Sequence, residues 1–278
     1  MGKQAIFNFQ KKENTIPQKT FKQVGESTKQ TLSDITSGTV ERKRITLSPS
    51  TLNIFRDCPR CFWLHINYNI KRPRGAFPSI ASGLDGVIKE YFDSYRKEGI
   101  LPPLMKGKLE GKLISQLPAK LFFNDNSKNA LLMGMLDECL ILPDNIYAPL
   151  DYKTRRSFPE GTHPAYQLQM DVYTLLLEKN NYKTNSLAYL LYFVPGYGKL
   201  HEGIPFGVKV IEVKTSIERA LNVFHEALDL LKAPIPGSSE NCEYCNWIKE
   251  LPVRSSLSGK IVREKTKITE IQGQEKED

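Results

Sequence analysis

Two cysteine pairs, one near each end of the central part of the chain, restrict its possible folds more than any other feature. Cys58 and Cys61 form one C-x2-C unit, and Cys242 and Cys245 form a second. This spacing is typical of metal chelation, and two such units supply the four thiolates of a complete site. A shared metal would join an N-terminal helix to a C-terminal segment and close the long loop between them. The alternative is two separate buried thiol pairs, with Cys139 as a further core thiol.

The composition predicts one folded domain between two polar segments. The chain has 278 residues, of which 40% are hydrophobic and 25% charged, and its formal net charge is +8. Residues 1–46 contain nine Lys or Arg against four Asp or Glu and have no hydrophobic period, which predicts a disordered basic arm. Residues 251–278 are expected to form a flexible charged tail. The remaining 47–250 are of ordinary size for a single domain.

The same features favour a soluble, intracellular protein in the cytoplasm with an anionic partner. The N-terminal sequence has no apolar signal region, and no apolar run approaches the roughly 18 residues of a membrane helix. A basic chain favours nucleic acid as the partner, although basic tails alone would give the same net charge. Walker A, H-E-x-x-H and G-x-S-x-G motifs are absent from the sequence. Any helicase activity would therefore have to come from a partner chain.

Hydrophobic periodicity predicts an α/β order of elements in the domain. We expect helices at 51–57, 82–97, 163–179 and 216–231, and strands at 130–142, 146–154, 186–194 and 206–213. The stretch 130–142 is apolar on both faces, which is typical of a central strand. Pro143, Asp144 and Asn145 then predict a turn, so that 130–142 and 146–154 form a hairpin.

The predicted hairpin brings two carboxylates together. With its turn centred on residue 144, Asp137 lies directly opposite Asp151, with Cβ atoms roughly 4.5–5.5 Å apart. Two buried carboxylates at that distance repel each other, so one protonates or a cation lies between them, and a hard divalent ion fits. Lys153 is two residues beyond Asp151 and therefore on the same face, where it could orient an attacking water. The alternative is a structural ion pair between Lys153 and Asp151.

The order of these motifs resembles the PD-(D/E)XK nuclease superfamily, in particular its RecB-like branch, which includes the CRISPR-adaptation exonucleases. The resemblance covers most of 48–245 and implies a restriction-endonuclease-like core, that is, a central mixed sheet flanked by helices, with a cysteine–metal clasp. It rests on Gly134-x-x-Asp137, Asp151-x-Lys153, Gln169-x-x-x-Tyr173 and the segment Ser48-x-Ser50-x-Leu52-x-x-Phe55-x-x-Cys58-Pro59.

The resemblance implies a role for each matched residue on the hairpin. Asp137, Asp151 and the main-chain carbonyl of Tyr152 would be ligands of Mg²⁺ or Mn²⁺. Lys153 would act on the nucleophilic water. Water attack on the phosphodiester would leave a 5′-phosphate if the chain follows the family.

Helical residues would complete the site. In the family, the pair that Gln169 and Tyr173 match supports the active site and the DNA strand; without the family, the pair would indicate a helix face that satisfies buried polar groups. The family places a metal-ligating His or acid on an early helix. The helix predicted at 82–97 has no His, and Asp85 is the acid nearest its apolar stripe, so Asp85 is the candidate third ligand. The alternatives are a solvated Asp85 and His65 as the ligand.

The cysteine pattern leaves two metals open. Nuclease relatives with an iron–sulfur cluster usually carry one cysteine early and three late, whereas this chain has two and two. A 4Fe-4S cluster and Zn²⁺ both fit a set of four thiolates. Either would be structural.

The expected function is metal-dependent hydrolysis of DNA phosphodiester bonds, by an exonuclease in preference to an endonuclease. The setting would be DNA repair, recombination, or CRISPR or viral DNA processing. The partners would be single-stranded DNA or duplex ends and a helicase or other repair or adaptation protein, with salt-sensitive affinity added by the arm 1–46. One alternative is a non-catalytic nucleic-acid-binding protein with a structural zinc or iron–sulfur site. Another is an adaptor whose tails recruit a partner.

Overall fold

Two mixed β-sheets flanked by helices form the described part of the chain. The computed structural model describes residues 44–73, 75, 79–199, 201 and 203–250, so most of the predicted arm and all of the predicted tail lie outside the described residues. The helices are α1 (Pro49–Asp57), α2 (Pro59–Tyr68), α3 (Ser79–Arg96), α4 (Pro164–Lys179), α5 (Ile217–Lys232) and α6 (243–250). The strands are β1 (Ile45–Leu47), β2 (Lys112–Leu113), β3 (Leu121–Asp125), β4 (Ala130–Gly134), β5 (Glu138–Leu142), β6 (Ile146–Thr154), β7 (Leu187–Pro195) and β8 (Phe206–Lys214).

The two sheets differ in size and topology. The smaller sheet has the order β1-β4-β3, with β1 parallel and β3 antiparallel to β4. The larger sheet has the order β2-β5-β6-β7-β8, in which only the β6–β7 pair is parallel. Helix α4 connects β6 to β7, as parallel neighbours require. Because Ile45 pairs with Ala130, β1 includes two residues that lie before the domain boundary expected at 47.

The prediction of a single central strand at 130–142 is wrong. The chain leaves the smaller sheet at Gly134 and enters the larger sheet at Glu138, so β4 and β5 belong to different sheets. A stretch that is apolar on both faces is equally consistent with one long strand and with two short buried strands, because periodicity does not report the sheet to which a strand belongs. The predicted single central sheet is thus replaced by two sheets.

The β5–β6 hairpin has the predicted register. Glu138 pairs with Leu150 and Cys139 with Pro149, so continuing the ladder by one residue sets Asp137 against Asp151. The turn works because Asp144 and Asn145 both adopt left-handed backbone angles, with φ of 59° and 53°, which Asp and Asn tolerate better than other non-glycine residues. Asp137 itself lies in the link before β5.

The larger sheet is covered on both faces. Side chains of α3, including Ile88 and Phe92, pack against Leu150 and Tyr152 of β6 in one apolar cluster. Helices α4 and α5 pack in a second cluster together with β-strand residues such as Leu190. Because strand side chains alternate, Asp151 and Lys153 point away from α3 and towards α4.

An ion pair between a buried carboxylate and a partly exposed arginine joins α4 to α5. Asp171 on α4 is fully buried and accepts hydrogen bonds from Arg219 Nε at 2.5 Å and from the main-chain N–H of Ser216 at 3.0 Å. Gln167 donates a further bond to the same carboxylate at 3.0 Å. The contacts join the middle of α4 to the first turn of α5, so the position of one helix determines that of the other.

Several elements were not expected from the sequence. They are α2, α6 and the short strands β1, β2 and β3. The expected helices and the other expected strands lie within a few residues of their observed positions; β6, for instance, matches the expected 146–154. Among the described residues, no helix is both long and apolar enough to cross a membrane.

Candidate active site and candidate metal centre

Asp151 on β6 is the centre of a polar cluster inside the fold. Its side chain is fully buried, and Oδ2 forms an ion pair with the ammonium of Lys153 but no well-directed hydrogen bond within the described residues. Burial raises the pKa of Asp151 to about 8; the Lys153 charge opposes this rise, and the neighbouring Asp137 carboxyl adds to it. The two aspartates therefore crowd each other as the hairpin register predicts, and a cation would relieve that crowding.

Lys153 lies at the edge of this cluster. Its side chain is 17% exposed, and its ammonium lies 4.8 Å from the centroid of the Tyr166 ring, at the start of α4. The Lys153 ammonium therefore interacts with the Tyr166 ring on one side and with the Asp151 carboxylate on another. Lys153 is thus held between a buried anion and an aromatic face, close to solvent, where an ammonium could contact a water or a phosphate oxygen.

Gln169 of α4 reaches the same carboxylate, and Tyr173 contacts Gln169. Gln169 Nε2 donates to Asp151 Oδ1 at 3.0 Å and lies 3.0 Å from the hydroxyl oxygen of Tyr173. Burial raises the pKa of Tyr173, so its hydroxyl remains protonated. These two residues occupy one face of α4, four residues apart, and the structure brings Gln169 to Asp151 and Tyr173 to Gln169.

Gly134, at the end of β4, allows α4 to approach this cluster. A Cβ placed on Gly134 would lie 2.6 Å from Leu176 Cδ1 and 3.2 Å from Tyr173 Cε1. Such contacts are too short for any side chain to occupy this position without moving α4 residues. The glycine of the Gly134-x-x-Asp137 motif therefore has a packing role beside Tyr173.

Asp85 does not join the two aspartates. Within the described residues, the four cysteines are the only set of three or more His, Cys, Asp or Glu ligand atoms within 4.8 Å of one another. Asp85 is exposed on α3, and α3 packs on the face of β6 opposite to the Asp151 side chain. Its role as the third metal ligand therefore stays a prediction. Its charge acts on the Tyr152 hydroxyl, whose pKa is raised first by burial and then by Asp137, Glu138 and Asp85.

The Tyr152 ring lies on the α3 face of β6, opposite to the Asp151 side chain, and His65 lies on a different helix. The Tyr152 ring stacks on Phe92 with centroids 5.5 Å apart, and only its main-chain carbonyl remains as the predicted ligand. His65 lies on α2, outside any set of three candidate ligands in the described part of the chain. Burial, and then the charge of Lys71, lower the pKa of His65 and favour a neutral imidazole.

A fully buried carboxylate next to Asp137 in the chain was not predicted from the sequence. Glu138 is fully buried on the α3 side of β5, where Arg96 at the end of α3 pairs with both of its oxygens, one through Nε at 3.2 Å. Arg96 also pairs with Asp93. Burial raises the pKa of Glu138 to about 7, although Arg96 opposes the rise. An arginine at the end of α3 is unremarkable in sequence, so only the packing of α3 on the sheet reveals this pair.

The four cysteines of the two C-x2-C units converge, as predicted. Their Sγ atoms all lie within 4.8 Å of one another, with Cys61 3.6 Å from both Cys242 and Cys245 and Cys58 3.9 Å from Cys245. All four side chains are buried. The cluster joins the start of α2 to the start of α6, while Cys139 is buried separately on β5.

Four thiols this close are suited to a cation. Burial raises the pKa of Cys58, but hydrogen bonds from the main chain of Cys61 and Ser239 outweigh it and lower the pKa to about 6. Burial and the neighbouring cysteines raise the pKa of Cys245. One thiol therefore ionises readily while another resists, and all four become thiolates together only with a cation among them. The residues present can thus hold a metal ion.

Comparisons with known proteins add little to this geometry. No protein family and no curated protein matches the sequence. Among solved structures, one described as "Crystal structure of SSO0001" is similar over 75% of this chain and 86% of that chain, with 14% sequence identity and a TM-score of 0.42. A likeness of this size is compatible with different functions.

Proposed function

We propose that the protein is a metal-dependent deoxyribonuclease that hydrolyses DNA phosphodiester bonds, an exonuclease in preference to an endonuclease. The observation that carries the proposal is the convergence of Asp151, Asp137, Lys153 and Gln169 at one buried place. These residues come from three of the motifs that resemble the PD-(D/E)XK superfamily, and they meet through the β5–β6 register and the packing of α4.

The carboxylates present fit a hard divalent cation. Asp151 Oδ2 is buried without a well-directed hydrogen bond in the described structure, and the adjacent Asp137 carboxyl makes two negative charges at this place unfavourable. Mg²⁺ or Mn²⁺ held by Asp137, Asp151 and the carbonyl of Tyr152 would supply Lewis acidity to the scissile phosphate. Asp85 remains the candidate third ligand, and Asp137 and Asp151 are the side chains on which the proposal rests.

The remaining side chains of the site position the Asp151 carboxylate and the reacting water or phosphate. Gln169 fixes one oxygen of Asp151, which leaves the other oxygen directed to Lys153. A divalent cation on Asp151 would replace Lys153 as the partner of that oxygen, and the Lys153 ammonium could then orient water or neutralise charge on a phosphate oxygen. Tyr173 holds the Gln169 amide through its hydroxyl.

At the four cysteines, we propose a single Zn²⁺ ion. A tetrahedral site with Zn–S bonds of about 2.3 Å has sulfur atoms about 3.8 Å apart, close to the 3.6–3.9 Å separations of three Sγ pairs. A 4Fe-4S cluster interposes iron and sulfide between its cysteine ligands and needs them farther apart. A colourless, zinc-containing protein is expected, and a brown protein purified without oxygen would favour the cluster.

The test of the nuclease proposal is DNA cleavage in Mg²⁺ or Mn²⁺ by the full chain and by two variants, Asp151→Asn and Lys153→Met. Each variant is expected to lose at least about 100-fold of the rate, because each removes a group that acts on developing charge. The matched controls are Asp144→Asn in the turn of the same hairpin and Lys209→Met on β8, both exposed.

Single-stranded DNA and duplexes with free or closed ends distinguish exonuclease from endonuclease action. Equal cleavage by wild type and both variants would exclude this site. DNA binding without turnover in either metal would instead support the non-catalytic nucleic-acid-binding alternative.

A further inference from the structure

One cation lies directly against the four-cysteine cluster. Arg72, in the segment after α2, places Nη2 3.8 Å from Cys242 Sγ. Burial raises the pKa of Cys61, and the neighbouring Arg72 guanidinium opposes that rise. The Arg72 side chain is 19% exposed. An arginine is always charged at accessible pH, so this is a permanent positive charge at the edge of the thiols.

Residues of both C-x2-C segments hold Arg72 in place. Its Nη1 pairs with Oδ2 of Asp57, the residue before Cys58, at 2.5 Å. Its guanidinium carbon lies 4.9 Å from the centroid of the Tyr244 ring, between Cys242 and Cys245 in sequence. The side chain therefore touches both halves of the site, and its position depends on both halves being together.

The remaining surroundings show that Arg72 is not merely a surface ion-pair partner. Nε is buried with no hydrogen-bond partner in the part of the chain that the structure describes. A solvated side chain would satisfy this donor with water, so Arg72 gives up some hydration to lie where it does. A compensating interaction is required, and a centre of four thiolates with one divalent ion carries two net negative charges.

We propose that Arg72 is the counter-ion of the four-cysteine metal centre, a positioning residue that strengthens metal binding by offsetting the negative charge of the loaded site. The inference rests on a metal at the cysteines, and it is independent of nuclease activity. Its effect is exerted through Cys242 and Cys61, with Asp57 and Tyr244 fixing the guanidinium.

The position of Arg72 also links the centre to the rest of the molecule. Arg72 lines a cavity of about 300 Å³ with Cys61, Cys245 and Tyr244, and a second of about 420 Å³ with Asn53 and His163. Asn53 also lines the cavity that reaches Gln169 and Tyr173. A change in the charge of the metal centre would therefore act on Arg72, which lines both cavities.

The experiment measures metal affinity in the full chain. Apoprotein is titrated with Co²⁺, whose thiolate absorption reports the ligand set, and bound Co²⁺ is then displaced by Zn²⁺ in competition with a chromogenic chelator. The variants are Arg72→Gln, which removes the charge, and Arg72→Lys, which keeps it without the planar fork. Lys71→Gln is the matched control, because Lys71 lines the same cavity and is exposed.

Arg72→Gln is expected to bind Zn²⁺ about 10–100-fold more weakly, the range found when outer partners of metal ligands are removed. Arg72→Lys should recover part of the affinity, and Lys71→Gln should stay within about twofold because an exposed charge is screened. The Co²⁺ absorption bands should keep their shape in Arg72→Gln, since the four sulfur ligands are unchanged. A structural role alone would instead alter the bands and leave Arg72→Lys unrescued.

The outcomes separate this inference from the proposals on which it depends. Unchanged affinity in Arg72→Gln, with Cys242→Ser unable to bind, overturns the counter-ion role and leaves the centre intact. Absence of binding in wild type removes both the centre and its counter-ion. Circular dichroism of the apoproteins checks that loss of affinity does not come from misfolding. The variant Tyr244→Leu removes the ring beside Arg72 but keeps the charge, and it is expected to weaken binding less than Arg72→Gln.

Discussion

Gln169 on α4 donates a 3.0 Å hydrogen bond to Oδ1 of Asp151 on β6. The bond joins a helix to the strand that precedes it in sequence, and it leaves Oδ2 of the same carboxylate facing Lys153. The orientation of the central acid is therefore set by α4 and its reactivity by the hairpin. A nuclease built on Asp151 should be sensitive to both.

Replacing Gln169 with Leu should lower the rate of metal-dependent DNA cleavage by about 10–100-fold, because an outer partner that orients a metal ligand contributes on that scale. Affinity for Mn²⁺, measured by calorimetry, should fall with the rate. Gln167→Leu is the matched control: Gln167 lies two residues away and bonds to Asp171 instead of Asp151. Equal cleavage rates for the Gln169 and Gln167 variants would show that the hydrogen bond from Gln169 to Asp151 does not contribute to the reaction.

Gly134→Ala tests the close approach of α4 to β4. The added methyl group would lie 2.6 Å from Leu176 Cδ1, so Leu176 and Tyr173 must move. Overpacking of this kind typically costs about 1–3 kcal/mol of unfolding free energy, measurable with urea. Cleavage should also slow, because Tyr173 holds the Gln169 amide.

Two companions make this test specific. Gly161→Ala, with no atom within 4 Å of the added Cβ, should leave stability within about 0.5 kcal/mol of wild type. The double variant Gly134→Ala, Leu176→Ala should relieve the contact with Leu176 at the expense of a core side chain. An unperturbed Gly134→Ala would show that α4 does not need this glycine.

The parts of the site that the sequence predicted are those set by local geometry. The turn at Asp144 and Asn145 fixes the register of β5 against β6, and two-residue alternation then puts Lys153 beside Asp151. The 3.6-residue period similarly puts Gln169 and Tyr173 on one face. The convergence of the cysteines followed from ligand count, since two half-sites complete each other.

The parts that the sequence did not predict depend on contacts between distant elements. The division of 130–142 between two sheets is decided by the pairing of β4 with β1 and β3, which periodicity does not report. The packing of α3 on the far face of β6 leaves Asp85 exposed and brings Arg96 onto Glu138. The contacts of Arg72 likewise depend on both cysteine pairs being together.

The pH dependence of stability should carry the signature of Glu138. Burial raises its pKa to about 7 from an ordinary 4.5, so the folded protein binds more protons than the unfolded chain between these values. The Glu138 contribution to stability is therefore complete below about pH 4.5 and is lost as the pH rises through about 7. Urea unfolding of metal-free wild type should show this decline.

The variant Glu138→Gln should flatten the decline, since an uncharged amide keeps the shape and an oxygen for Arg96 while binding no proton. Glu226→Gln, exposed on α5, is the control and should follow the wild-type curve. A wild-type slope that persists in Glu138→Gln would assign the pH dependence to other carboxyls. Asp151 is the first of these, because burial raises its pKa to about 8.

Removing the metal proposed at the cysteines should destabilise the contact between the start of α2 and α6. A ligand that binds only the folded state at a thousandfold excess over its Kd stabilises it by about 4 kcal/mol, and this is lost when a chelator removes the ion.

Cys242→Ser should lose one equivalent of metal and melt at the temperature of chelated wild type. Cys139→Ala, which removes a buried thiol on β5 far from the other four in sequence, should melt lower than wild type yet keep its full metal content. One equivalent of metal retained in Cys242→Ser, or lost in Cys139→Ala, would contradict a shared site of four thiolates.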